Sequence, residues 1–411
     1  MLDSRRSRDR WPSLAVAALV LVAFVVAGAT ASIVLHLRHP PGQVSGGPGS
    51  TRATGPPAAL PAAGAFVPAY DLASDPVFPN LRQGYAIESH ESGGVSSEHL
   101  AESHDGGRTW RLVGEPFPFS AGYSQVQFTS LRDGYVFGPA GLGVTHDGGR
   151  HWVSAPSLGG SLQRVVPIGE DVWATYTVCS GPPLPTTQCS VHIAISKNGG
   201  LRWSEPDGRS PLSESQEGGD ILARVTDSEA YVASYGVSEG VLALTYDAGR
   251  SWTKLGDPCA RWSVADLAAL AHQQLWMVCG GVPAVGATSS PKAVYRSQDG
   301  GHSWHLESYT GFGPEPGLTV GPVGHLLFAG QLSQLATISP SRAWIGITGV
   351  GVIVSFDGGR DWSLAKGVRD PGRDPAVGVT FNDAVHGWAI EFHEAVWQTL
   401  DARHWALVDD S

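Results

Sequence analysis

The chain has 411 residues, and its length exceeds that of a usual single domain, although closed β architectures commonly do so. Its net charge is −11, and the six Arg and two Asp before residue 65 leave the remainder with 21 basic against 36 acidic groups, a net of −15. Such a balance excludes nucleic acid and anionic lipid as general partners of that region unless a local basic patch exists.

The N-terminal "MLDSRRSRDRW" carries Arg5, Arg6, Arg8 and Arg10, and Leu14 to Leu35 is then 22 residues without a charge. That length spans a bilayer as a helix, and the basic flank stays in the cytoplasm. The expected order is a cytoplasmic tail at 1–11, a single transmembrane helix at 12–37 and an exported remainder. A cleaved signal peptide is the alternative, which would leave a secreted protein: Ala29 and Ala31 permit cutting after Ala31, although "SIVLHL" continues the apolar run. Residues 38–64 are rich in Pro, Gly, Ser, Ala and Thr, cannot bury a core, and read as a flexible tether.

From about Ala65 the chain repeats itself. The octets "SHDGGRTW", "THDGGRHW", "SKNGGLRW", "TYDAGRSW", "SQDGGHSW" and "SFDGGRDW" end at Trp110, Trp152, Trp203, Trp252, Trp304 and Trp362, and a shortened "TLDARHW" ends at Trp405. Successive tryptophans lie 42, 51, 49, 52, 58 and 43 residues apart, a period typical of repeat architectures. A catalytic or metal site is normally built once, so seven copies point to scaffolding. Ahead of each octet lie three short runs bounded by Gly, Pro, Asp and Ser. One precedes an aromatic, one carries it (Tyr85, Tyr135, Trp173, Tyr231, Trp276, Trp344, Trp388), and one enters the octet. With the run that the tryptophan opens, each unit is predicted to hold four strands. No sustained helical period follows residue 65. The expected fold is all-β: a seven-bladed β-propeller of four-stranded antiparallel blades over 65–411, preceded by one N-terminal transmembrane helix.

Each octet position has a task in a hairpin turn. The hydroxyl of Ser103, Thr145, Ser196, Thr245, Ser297, Ser355 or Thr399 bonds the turn backbone at the end of the third strand. The carboxylate of Asp105, Asp147, Asp247, Asp299, Asp357 or Asp401 accepts two or more turn amides. Asn198 keeps the acceptor and loses the charge, a swap that suits a turn and would weaken a metal site. Gly107, Gly149, Gly200, Gly249, Gly301 and Gly359 suit a positive φ, and the tryptophan opens the fourth strand as an apolar wedge. Arg108, Arg150, Arg250, His302 and Arg360 share one octet position and would ring one face, as solvated turn residues or as a basic patch.

The Ser/Thr-x-Asp-x-Gly-x-x-Trp octet resembles the Asp-box, or BNR repeat, found in sialidases, some glucan-degrading propellers and sortilin-type receptors. The longer pattern, Gly-Tyr/Trp-small-apolar about twenty residues ahead of Asp-Gly-Gly-x-x-Trp, is most similar to the photosystem II assembly-factor type of propeller and its bacterial relatives. "FTSLRDGYVFGPAGLGVTHDGGRHW" matches it closely, and "FNDAVHGWAIEFHEAVWQTLDARHW" does so with a degenerate octet. The resemblance covers nearly all of the chain after residue 65. It implies the propeller fold and a non-catalytic role in assembling or stabilising a membrane or envelope complex, although one fold hosts many activities.

The four cysteines agree with export. Cys179–Cys189 would staple the base of "SGPPLPTTQ", and Cys259–Cys279 would bridge the start of the fifth unit, with the other two connectivities left open. No Cys-x-x-Cys spacing suggests zinc.

Octets and short turns occupy one face of such a disc. The irregular stretches 89–99, 180–188, 280–292 and about Glu307 to Leu332 lie on the other, where binding groups concentrate. Within "HESGGVSSEH", His90, Glu91, Glu98 and His99 are the candidate binding residues, by one reading a metal loop. "EFHEAVW", with Glu391, His393 and Glu394, is a second such cluster. A glycan hydrolase needs two carboxylates facing across a cleft; Glu88, Glu91, Glu98 and Asp220 are the candidates. A sialidase-like (exo-α-sialidase) activity, the alternative function, needs three arginines, a Tyr–Glu nucleophile pair and an acid/base Asp. The Arg-Ile-Pro that precedes the first octet in sialidases is missing here, and Arg82 in "NLRQG" has the wrong context. Arg164 and Arg224 are then without a clamp to join. The expected protein is a monomeric, membrane-tethered extracytoplasmic propeller that binds an unidentified protein or glycan. No catalytic residue, cofactor or metal is expected.

Overall fold

The computed structural model describes residues 63–67, 72, 74–92, 95–117, 125–139, 141–180, 188–206, 210–212, 220–234, 241–259, 263–271, 273–280, 290–310, 324–327, 330–368, 377–391 and 395–408. The expected tail, membrane segment and almost all of the tether lie outside them. No helix among the described residues is long and apolar enough to cross a membrane.

The seven repeats become seven successive sheets, a seven-bladed propeller. Blade 2 is typical: Gln125–Phe128, Gly134–Gly138, Gly141–Thr145 and Val153–Ser154 pair antiparallel in sequence order. Blades 4, 6 and 7 repeat this plan, starting at Asp220–Arg224, Gln331–Ser339 and Val377–Phe381.

Three blades depart from the expected four strands. In blade 1 the described residues show two isolated bridges at the inner position, Leu72 with Glu88 and Val77 with Tyr85, and Phe66–Val67 adds to the outer edge. Blade 5 gains a fifth strand, Gly324–His325, parallel to His305–Thr310. The connection expected from about Glu307 to Leu332 therefore begins as strand, and 311–323 lies outside the described residues. Among the described residues blade 3 has three strands, Ser161–Ile168, Asp171–Ser180 and Gln188–Ser196, and a single bridge from Ile195 to Ser204 where a fourth would begin. Pro206, two residues on, has no N–H with which to extend the pairing.

The second strand of a blade is buried on both faces, as Gly134–Gly138 and Ala230–Ser234 show at every position. Its sequence therefore reads as a continuous apolar run rather than an alternation. The core sits between blades: seven apolar clusters each join two neighbours, from Tyr85, Leu100 and Val136 between blades 1 and 2 to Trp388, Trp110 and Val67 between blades 7 and 1. Burying each such aromatic is worth about 1.5–3 kcal/mol. The first strands of blades 3 to 7 touch in succession around a central channel. Among the described residues no exchanged strand closes the ring. Closure is by side chains, with Trp388 stacked on Phe78 at 4.0 Å and its Nε1 donating to the Gly106 carbonyl at 3.1 Å.

Candidate functional site

The octets form one hydrogen-bond pattern. In the second, Thr145 Oγ1 donates to Asp147 Oδ1 (3.0 Å) and accepts from the Gly149 amide (2.9 Å), while the His151 amide donates to Asp147 Oδ1 (3.0 Å). Ser196, Asn198, Gly200 and Arg202 reproduce it with an amide oxygen in place of the carboxylate. The expectation that the carboxylate gathers two or more turn amides holds at Asp357 and Asp401 and needs correction at Asp147, Asp247 and Asp299, which take one each, while the hydroxyl of the preceding Ser or Thr takes the glycine amide. The bonds hold the carboxylates well below their usual range. Asp247 stands at about 2 through the Ser251 hydroxyl and amide; Asp147 stands at about 2 although partial desolvation opposes the His151 and Thr145 bonds.

Two further roles join the octets to their surroundings. The amide before the invariant glycine reaches the turn between strands one and two of its own blade: Gly106 donates to Arg82 O (2.8 Å), Gly148 to Arg132 O (3.0 Å), Ala248 to Ser228 O (3.0 Å) and Gly358 to Ser341 O (3.0 Å). The glycines also seat the second-strand aromatic of the preceding blade. A Cβ on Gly200 would stand 3.4 Å from Tyr135, one on Gly300 3.4 Å from the Tyr231 hydroxyl, and one on Gly359 2.8 Å from Trp276. Positive φ extends to Ala248 (57°) and Ala402 (60°), the two alanines in glycine's place. Trp110, Trp304, Trp362 and Trp405 are buried, whereas Trp152, Trp203 and Trp252 are half-buried. The shared basic position braces turns: Arg108 donates to Asp105 O, Arg150 to Asp147 O, and the His302 ring to Asp299 O.

The candidate loop at 89–99 is a strand hairpin. Gly84–Ser92 and Val95–Ser103 pair from Gly84↔Ser103 to Ser92↔Val95, which puts His90 opposite Ser97 and Glu91 opposite Ser96. The side chains of His90 and Glu91 lie outside the described ones. Glu98 and His99 are buried within the blade, with His99 Nε2 3.3 Å from Ser97 Oγ, so these two are not surface ligands. The side chain of Glu391, and His393 and Glu394 altogether, also lie outside the described residues. No group of three metal-ligating side chains occurs among the described residues. The cysteines pair as Cys179–Cys189, directly across two strands of blade 3, and Cys259–Cys279 in blade 5.

Polar groups that periodicity did not single out converge on the channel. Arg164 of blade 3 donates from Nε to the Asp220 carbonyl of blade 4 (2.7 Å). Asp266 of blade 5 accepts the Leu335 amide of blade 6 (2.9 Å), and Gln334 of blade 6 accepts the Val379 amide of blade 7 (3.0 Å). Asp75 lies where a Cβ on Gly378 of blade 7 would meet its carboxylate, at 3.1 Å. These residues occupy the opening halves of their strands, on the side opposite the octets. Asp75 is reached by water yet crowded by protein, and desolvation raises its carboxyl to about 6. Burial also raises Asp220 and Asp266, against the field of Arg164. Of these, Asp220 was among the candidate carboxylates of the sequence, and the advance signal for Asp266 was a carboxylate inside an apolar first-strand run.

Arg224 is elsewhere: it lies over Trp173 at 5.0 Å, and Nη1 donates to Val166 O and Asp171 O. A Tyr–Glu pair does exist on blade 3, since Tyr176 donates to Glu205. Glu205 also lies 3.6 Å from His192 Nδ1, and His192 Nε2 is 2.9 Å from Ser190 Oγ. Beside this chain of bonds is a cavity of about 500 Å³ whose lining includes Leu158, Tyr176, Ala194, Trp203 and Glu205.

The fold thus defines a seven-bladed β-propeller with a polar channel and a second, peripheral cavity. It is structurally similar to a propeller described as YCF48 bound to D1 peptide, at 17% identity, with 84% of this chain and 96% of that one covered and a TM-score of 0.53. It is also similar to YCF48 from Cyanidioschyzon merolae (15% identity, 83% and 99% covered, TM-score 0.52). An ancestral GH74 enzyme aligns at 14% identity and TM-score 0.57, over 84% of this chain but 48% of its own. No family model and no curated relative matches the chain.

Proposed function

We propose that the chain is a membrane-tethered, extracytoplasmic scaffold that binds a protein or glycan partner without catalysing a reaction, and so assists assembly of a membrane or envelope complex. In this reading the N-terminal tail is cytoplasmic, 12–37 is the anchor and the octets are Asp-boxes with a structural task. The carrying observation is the fold likeness over nearly the full length of both chains to a propeller bound to a peptide. The channel mouth supports it: Asp75, an exposed carboxylate there, suits a basic side chain of a partner better than the carboxylate of a sialic acid.

Proximity labelling from native membranes, followed by co-purification, tests the reading. One partner complex should be recovered, and Asp75→Lys should weaken its recovery while leaving the fold intact. Hydrolysis of a fluorogenic sialoside by the purified chain, abolished in Tyr176→Phe, would overturn the reading in favour of a sialidase-like enzyme.

A further inference from the structure

The two disulfides differ in what surrounds them. Cys259 and Cys279 are 1% and 0% exposed, inside the apolar cluster between blades 4 and 5 with Leu242, Val264 and Met277. Their bond ties the segment entering blade 5 to that blade's second strand, Gln274–Gly280. Cys179 is exposed and Cys189 half-buried, at the end of the blade 3 strands remote from the octet. Neither belongs to the clusters that join blade 3 to its neighbours.

The register explains why the exposed bond is also the one the fold needs less. Cys179 stands directly opposite Cys189, the eighth of nine pairs that run without a break from Val172↔Ser196 to Ser180↔Gln188. Ile195 turns its N–H and C=O away from this pairing, to Ser204. By the alternation of an antiparallel ladder, Trp173↔Ile195, Thr175↔Ile193, Thr177↔Val191 and Cys179↔Cys189 are then the pairs that exchange no main-chain bonds. A Cα–Cα separation of 4.0 Å agrees with such a pair. Opening the bond leaves the seven pairs from Val172 to Val178 in place, with Trp173, Ala174 and Ile193 buried among them. Opening Cys259–Cys279 would instead put two thiols into a packed core.

Reactivity toward thiols follows access. Exchange requires a thiolate to reach one sulfur and expel the other, so exposed disulfides are the labile ones and buried ones resist. All four cysteines are paired, and of the four only Cys179 is exposed.

We propose that Cys179–Cys189 is a thiol-exchange site that takes electrons from a dithiol partner, and that Cys259–Cys279 is the lasting bond of the fold. A thiolate of the dithiol attacks Cys179 Sγ, the bond to Cys189 breaks, and Cys189 leaves as a thiolate that takes a proton from water. The partner's second thiol, having lost its proton, attacks the partner's own sulfur in the mixed disulfide and expels Cys179, which is protonated in turn. Two electrons pass from the dithiol, which ends as a disulfide, to the pair, which ends as two thiols. The site is separate from the channel, and its test does not depend on recovering a partner complex.

Reduced thioredoxin, a Cys-x-x-Cys dithiol, is the probe, used on the native full-length chain. Samples taken over time are quenched with acid, alkylated and mapped by mass spectrometry at each cysteine. Cys179 and Cys189 should open at least about tenfold faster than Cys259 and Cys279, with the near-UV circular dichroism unchanged after the fast phase. Thioredoxin whose second active-site cysteine is replaced by serine should be trapped as a mixed disulfide on Cys179. Equal rates, faster opening of Cys259–Cys279, or no opening at all would overturn the proposal. So would loss of the near-UV spectrum with the fast phase, or a trap on any other cysteine or on none.

Discussion

Replacing Gly359 by alanine probes whether an octet glycine is a seat for the aromatic ring of the preceding blade. Gly359 has φ +88°, and a Cβ there would stand 2.8 Å from Cζ3 and 3.3 Å from Cη2 of Trp276. Two costs arise. The left-handed backbone costs a side chain about 1–2 kcal/mol, and overpacking against a fully buried indole adds about 1–3 kcal/mol. Gly159 separates them: its φ is +81° and nothing lies within 4 Å of its Cβ position, so Gly159→Ala should show the backbone cost alone. Trp276→Leu should relieve part of the clash. The double variant Gly359→Ala with Trp276→Leu should therefore be more stable than the sum of the singles predicts, by about 0.5–3 kcal/mol. Urea denaturation followed by tryptophan fluorescence and near-UV circular dichroism measures the four variants against the wild type. The reasoning is refuted if Gly359→Ala costs no more than Gly159→Ala, or if its cost adds strictly to that of Trp276→Leu.

Asp147→Ala removes the acceptor of the Thr145 hydroxyl and the His151 amide, a loss comparable to that of a helix cap, about 0.5–2 kcal/mol by denaturant titration. The folded carboxyl stands at about 2, below its ordinary 3.8, so its contribution is in force above 3.8 and lost as pH falls toward 2. Melting temperatures across that window should drop less steeply in Asp147→Asn than in the wild type. Asp75 has the opposite sign: its folded carboxyl is raised to about 6, so stability present below 3.8 is lost as pH rises through 6. Asp75→Asn should therefore melt higher than the wild type at about pH 7.5 and nearly with it at about pH 4; an equal gain at both would refute the assignment. Cys259→Ser opens a loop of 20 residues and should cost about 3 kcal/mol, read as a lower urea midpoint that reductant does not lower further in a Cys179→Ser background.

Much of the fold was legible because its determinants are local. Six octets and a shortened seventh, 42 to 58 residues apart, an aromatic ahead of each and runs bounded by turn residues define seven hairpin-built units. The turn chemistry of Ser103, Asp105 and Gly107 is contained within a few residues. Within the candidate stretch 89–99, the polar "HESGGVSSEH" hid two strands: Glu98 and His99 are buried on the blade, which composition does not register. Blade 3 was predicted with four strands because "LRWSEP" opens as its counterparts do. Pro206 carried the contrary signal, and only its seat on Gly249 shows where the chain goes.

The sequence by itself determined the class, the number of units and the turn that closes each hairpin, since those depend on backbone preferences and apolar patterning within about fifty residues. The tertiary structure alone decided what lies between units. Trp276 meets Gly359, Trp388 closes the ring on Phe78 and Gly106, and Arg164, Asp220 and Asp266 converge from three blades. Those contacts join residues tens to hundreds of positions apart, and it is closure of the ring, which no single repeat encodes, that brings them into reach.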